Sequence, residues 1–220
     1  MNQVYAEDYE ALLGSGLYAA LIARDMLLPH EEREIPAARP ERAYKVIEPQ
    51  PLDFISYPYE WCFSQLKDAA LLTLAAQRVA IEHDMSLKDA SAFNVQFHLG
   101  RPLLMDTLSF EKLKEGEPWV AYRQFCQHFL APLALMAYVD IELGKLMRVH
   151  IGGVPLSLAS RMLPLRSRFR FSLLVHIHWH ASAQRRYAGK DRSASVRARR
   201  MNRNALLGLV DSLQGAVHRL

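Results

Sequence analysis

Asp89, Asn94 and Asp106 are the residues whose types and spacing could do chemistry together. Transfer of a phosphoryl group needs a carboxylate to orient or accept the proton of the attacking hydroxyl. It also needs hard oxygen ligands that hold magnesium beside the phosphates. Asp89 is read here as the base. Asn94, five residues further on, and Asp106 are read as the magnesium ligands, which makes Mg-ATP the candidate cofactor. An Asp-x4-Asn pair alone is a weak signal, because caps and turns of polar loops use the same residues.

The elements around the three residues strengthen the pattern. Between Asn94 and Asp106, Val95 and Phe97 alternate with polar neighbours, Leu99-Gly100-Arg101-Pro102 marks a turn, and Leu103 to Met105 resumes an apolar run. That reads as a hairpin delivering Asp106 back towards Asn94. Upstream, Leu66, Ala70, Leu74, Ala80 and Ile81 recur at helical spacing, predicting a helix from Ser64, as N-cap, to about His83. Further upstream the pattern predicts a helix over 8–28, a loop over 29–42 and two short strands, Tyr44–Ile47 and Phe54–Tyr57. Downstream, Trp119, Tyr122, Phe125 and Phe129 form a helical core stripe that Pro132 kinks or divides. Shorter helices follow over 140–149 and 156–163, then a long one over 168–187 and a final one from about Asn202.

Composition bounds the class. The chain has 220 residues, half of them hydrophobic, enough for one good core with a helical extension. It has no apolar run long enough to cross a bilayer and no secretory n-region or h-region at Met1–Glu10. Cys62 and Cys126 are far apart and outside any CxxC pattern, so a reduced, cytoplasmic protein with no membrane association is expected. The net charge of +4 hides a basic stretch over 185–203, read as a solvated linker; nucleic acid is not an expected partner.

Four further groups are candidates for a site. His176, His178 and His180 could clamp a metal, His176 and His180 at i,i+4 on a helix, but Val175 and Trp179 mark a packed segment and a polar-core role. Cys126 and His128, two apart on a helix, diverge and make a poor nucleophilic pair. Arg123 and Gln124 are placed where they could face the Asp89/Asp106 loop. Lys45, the only lysine before Lys67, has no assignable phosphate contact.

The order Asp89, Asn94, hairpin, Asp106 resembles the catalytic loop of protein kinases. There are departures. Leu87 stands where kinases place His, no glycine follows Asp106 by two, and no Gly-rich loop or strand lysine is identifiable upstream. The resemblance therefore implies a kinase-like C-lobe with a reduced N-lobe. Longer strings carry a second resemblance: Phe54-Ile-Ser-Tyr-Pro-Tyr-Glu-Trp61, Ser86-Leu-Lys-Asp-Ala-Ser91, Asp106-Thr-Leu-Ser-Phe-Glu111 and the run from Trp119 to Met136. They resemble a bacterial family described as SAM-dependent methyltransferases, with nodulation protein NoeA-like members. This second resemblance implies a longer bacterial protein, truncated here, whose SAM-binding domain follows this region as a covalent or non-covalent partner. Gly152-Gly153, followed by Val-Pro, is not the Gly-rich turn such a cofactor requires.

The expected fold is α+β and predominantly helical: a helical lead and loop over 1–45, a kinase-like module over 46–165, and a helical extension with a basic linker over 166–220. Three functions remain open. The chain is a non-catalytic module accompanying a methyltransferase, a working Mg-ATP-dependent phosphotransferase using Asp89, Asn94 and Asp106, or an interaction scaffold.

Overall fold

The computed structural model describes residues 1–179 and 201–220. The fold is α+β, mostly helical, with three separate two-stranded antiparallel ladders. Its centre is α3, Phe63–Glu82. This helix is rich in Ala, the best helix former, and buries Ala69, Ala70, Leu74, Ala76, Ala80 and Ile81 completely. Its cap lies two residues before the one the sequence suggests: Gln65 Oε1 accepts from the Cys62 backbone N–H at 3.0 Å, so Cys62 and not Ser64 is the cap residue. At its C-terminal side α3 is flanked by β3 (Met85–Leu87), which pairs with β6 (Phe110–Lys112).

The expected hairpin is present as β4 (Val95–His98) and β5 (Arg101–Leu104), with His98 opposite Arg101. Leu99 and Gly100 both have positive φ, +49° and +77°, as a tight two-residue hairpin turn requires. Glycine adopts that conformation freely. Leu99 does so against the steric preference of a side chain, at a cost of about 1–2 kcal/mol, and is 89% exposed.

The predicted helix over 8–28 is two helices, α1 (Ala6–Gly14) and α2 (Leu17–Ile22), because Gly16 takes φ +78° between them. The loop expected over 29–42 contains a strand, β1 (His30–Arg33), which pairs with β2 (Val46–Pro49). Cross-strand ion pairs offset its charged composition: Arg33 meets Glu48, and Lys45 meets Glu32 at 2.8 Å. Phe54–Tyr57 is not a strand. Its backbone is instead held by the buried Gln96 side chain, which donates to the Ser56 carbonyl at 2.9 Å and accepts from the Ser56 N–H at 3.0 Å.

After Trp119 the chain forms α4 (Tyr122–Phe125), a π-helical segment Cys126–Leu130, and α5 (Ala131–Tyr138). Pro132 has no N–H to give to an α-helical register. The extra residue of the π segment, closed by Ala131 N–H to the Cys126 carbonyl, absorbs the irregularity just before it. The 3-10 helix Ile141–Arg148 and α6 (Leu156–Met162) follow. The final helix, Arg203–His218, is capped by Asn202, whose side chain accepts from the Ala205 N–H at 2.9 Å. Its Leu206, Val210, Leu213 and Val217 pack with α3 in one continuous core. Each such buried aliphatic contributes about 2 kcal/mol. The described part of the helix expected over 168–187 is the 3-10 turn Leu165–Phe169 and then residues 171–179. His180 and most of the basic stretch, 185–200, lie outside the described residues.

Candidate functional site

The loop from Lys88 to Asn94 leaves β3 and enters β4, and the hairpin returns the chain so that the Met105 N–H donates to the Asn94 carbonyl at 2.9 Å. Asn94 and Asp106 therefore flank the same point. Ser109 joins them: its hydroxyl accepts from Asn94 Nδ2 at 3.1 Å and donates to Asp106 Oδ2. Asp106 Oδ1 accepts from the Leu108 N–H at 2.9 Å, which makes Asp106 the N-cap of the short 3-10 turn Thr107–Ser109. Both carboxylate oxygens of Asp106 thus already accept a hydrogen bond inside the loop.

Asp89 is held through one oxygen only. Its Oδ1 accepts from the Ser91 N–H at 3.0 Å and from Gln124 Nε2 at 2.8 Å. Gln124 Oε1 in turn accepts from the Ala90 N–H at 2.8 Å, so one side chain on α4 clamps the start of the loop twice. One helical turn later His128, only 2% exposed, accepts the Ala92 N–H on Nδ1 at 3.4 Å. Burial pushes its pKa down to about 4, against the opposing pull of Asp89 and of the Gly152 carbonyl, so the ring is neutral.

The N-terminal helices cover the segment after Asp106. Tyr5, on the turn before α1, donates its hydroxyl to the carbonyls of Thr107 (3.2 Å) and Phe110 (2.8 Å). Burial, with Asp8 and Asp106 nearby, raises its pKa. Lys88 lies over the Tyr5 ring and pairs with Asp8 at 3.4 Å. A second chain of contacts runs from Lys45 through Glu32, Tyr9 and His30 to the Thr107 hydroxyl. Lys45 is thus committed to Glu32, with Glu10 also in reach at 3.7 Å.

Magnesium would find one free amide oxygen, Asn94 Oδ1, whose orientation follows from Nδ2 donating to Ser109, and the remaining lone pairs of Asp106. That fits a magnesium ion completed by waters and phosphate oxygens and no tighter cage. Among the described residues no group of three or more His, Cys, Asp or Glu side chains is placed to hold a metal ion. The residues present do not fit SAM. Gly153, at φ +91°, is committed to packing, since a Cβ there would sit 2.7 Å from Gln127 Cβ and 2.9 Å from the His128 ring.

The other sequence candidates resolve as core. His176 is bonded to the Tyr122 hydroxyl at 2.7 Å and to Ser212 at 3.0 Å. His178 bonds Ser160 at 2.8 Å and Ser167 at 3.0 Å. All four ring nitrogens are occupied by hydroxyls. Cys126 is buried and its thiol is pushed up to about 12, so it is no nucleophile. Of the residues singled out by spacing, Asn94 and Asp106 are joined through Ser109, and Asp89 is bonded to Gln124, one of the two α4 residues, with Arg123, expected to face the loop. Ser109 and the loop-supporting role of His128 were missed. The Asp-x-x-Ser pattern at 106–109 is the one local signal that pointed to Ser109.

Nodulation protein NoeA of Rhizobium meliloti (strain 1021) is 36% identical to this chain over 171 residues, which make up 77% of this chain and 36% of that protein. The chain therefore spans about a third of the length of the curated relative it matches. No protein-family model matches, and no solved structure matches.

Proposed function

We propose that this chain is a non-catalytic, kinase-like module of a protein related to SAM-dependent methyltransferases. In this reading it serves as a folded scaffold and coupling unit, and methyl transfer belongs to a domain outside its residues. The methyltransferase part rests on the family strings and on the similarity to NoeA, of which a further two-thirds lies beyond the matched region. The kinase-like part rests on the order of elements: loop with Asp89 and Asn94, hairpin, Asp106.

One observation carries the non-catalytic reading. The carboxylates that would serve chemistry are engaged in the fold, Asp106 through both oxygens, to Leu108 and Ser109, and Asp89 through Oδ1, to Ser91 and Gln124. Lys45, the only lysine before Lys67, is paired with Glu32. A working phosphotransferase is the second reading, favoured by the proximity of Asn94 and Asp106 through Ser109 and by the open Asn94 oxygen. In that case Asp89 would accept the proton of the attacking hydroxyl.

Calorimetric titration of the chain with ATP and magnesium, repeated with Asp106→Ala, separates the two. The proposal expects no saturable, magnesium-dependent heat from the folded protein. Saturable binding that is lost in Asp106→Ala supports the phosphotransferase reading and overturns the proposal.

A further inference from the structure

A cavity of about 530 Å³ lies at the turn end of the β4–β5 hairpin, between the hairpin and the segment that follows α2. That size suits a small molecule. Leu27 and Leu28, nearly fully buried, and the half-buried Leu103 give it an apolar wall. His98, Arg101 and Leu103 share one face of the hairpin: His98 and Arg101 are direct cross-strand partners, and Leu103 is two residues beyond Arg101. Asp25 reaches the cavity from the other side. The side chains of Asp25, His98 and Arg101 make no hydrogen bond or ion pair with one another or with any other described residue.

The backbone supplies an independent observation. Among the described residues three non-glycine residues have left-handed φ, Asp25, Asp84 and Leu99, and two of the three line this cavity. Asp25 is fixed there by the end of α2: its N–H donates to Ile22 at 3.0 Å, and the Met26 N–H donates to Leu21 at 2.9 Å. That is a helix ending which glycine would serve with less strain. Leu99 carries more strain than Asp25, because Asp tolerates the left-handed region better than Leu, and it gains no compensating burial. The fold sets both backbone conformations; what it leaves unexplained is an exposed Leu side chain at position 99, and a strained position of that kind is a candidate ligand contact.

We propose that this cavity binds a small zwitterion with an apolar body, an α-amino acid of the leucine or phenylalanine kind or a molecule bearing the same head group. Arg101 takes the carboxylate and Asp25 the ammonium, with His98 beside Arg101 as a second polar contact. Leu27, Leu28 and Leu103 receive the apolar body, and Leu99 closes over it. The site is separate from the Asp89–Asn94–Asp106 loop and does not depend on its function.

The test is calorimetric titration of the full chain with L-leucine, L-phenylalanine, N-acetyl-L-phenylalanine and L-phenylalaninamide. At least one free amino acid should bind saturably, and both capped derivatives should bind about tenfold more weakly than L-phenylalanine. Arg101→Gln should weaken L-phenylalanine about tenfold and leave L-phenylalaninamide unchanged. Asp25→Asn should weaken L-phenylalanine and leave N-acetyl-L-phenylalanine unchanged. Leu99→Gly, which relieves strain and so keeps the fold, should weaken L-phenylalanine about fivefold, and Asp106→Ala should not alter it. Three results would each overturn the proposal: no saturable heat with either amino acid, equal binding of the capped derivatives, or binding indifferent to Arg101, Asp25 and Leu99.

Discussion

The two ends of the β4–β5 hairpin make opposite use of their polar groups. At the base, Asn94, Ser109, Asp106, Asp89 and Gln124 are linked to one another or to loop N–H groups, with the Asn94 amide oxygen and one Asp89 oxygen left over. At the turn, Asp25, His98 and Arg101 surround a cavity without partners among the described residues, and Leu99 is strained and exposed. The base has the residue types of a catalytic loop and the hydrogen bonding of a structural one. The turn has no recognisable motif, and its charged side chains are open to solvent, which is the state the proposed ligand site needs. Residue type and spacing state what chemistry a group could do; its hydrogen-bond partners state what it already does.

Several substitutions sharpen or break this contrast. The largest effect is expected from Gly153→Ala, which combines a left-handed φ with a 2.7 Å clash against Gln127 and a 2.9 Å clash against the His128 ring that supports the loop. Strain and overpacking together should cost about 2–5 kcal/mol in denaturant unfolding. A loss under about 1 kcal/mol would mean that the base of the hairpin is not rigidly supported.

The second is a pH effect. His128 is neutral in the fold, its pKa depressed from the ordinary 6.5 to about 4 by burial. The unfolded chain takes up the proton first as pH falls, so this group's stabilisation is complete above about pH 6.5 and is lost on the way down to about pH 4. The loss amounts to about 3 kcal/mol at most. His128→Gln, which keeps an acceptor for Ala92, should flatten that slope when unfolding is followed from pH 7 to pH 4. An unchanged slope would remove His128 as a support of the loop.

The smallest is at the other end. Leu99→Gly should raise stability by about 1 kcal/mol, the strain of the turn outweighing the added chain entropy. A loss of stability would show that Leu99 serves packing, which would blunt the contrast between the two ends.

Much of the frame was readable before the structure. The hairpin follows from alternation and Leu99-Gly100, and α3 and the final helix follow from their apolar periodicity and caps. β1 was not readable, because His30-Glu31-Glu32-Arg33 is a strand only through Glu48 and Lys45 across the ladder. Phe54–Tyr57 was over-read because its β-type residues satisfy their backbone through Gln96, 40 residues away. At the site, Asp89, Asn94 and Asp106 were visible by spacing. What they are bonded to was not, since Gln124 arrives from α4 and His128 from the π segment that follows it, which no local pattern marks.

The most direct test of the central claim is thermal unfolding of the wild-type chain and of Asp106→Ala, each with and without excess magnesium and ATP. If Asp106 is spent on the fold, the variant melts lower, by the equivalent of about 1–2 kcal/mol for a lost cap and an orphaned N–H, and magnesium with ATP shifts neither protein. A wild-type Tm raised by magnesium and ATP, together with a variant that melts no lower and does not respond, would contradict the account and place a working metal site at the base of the hairpin.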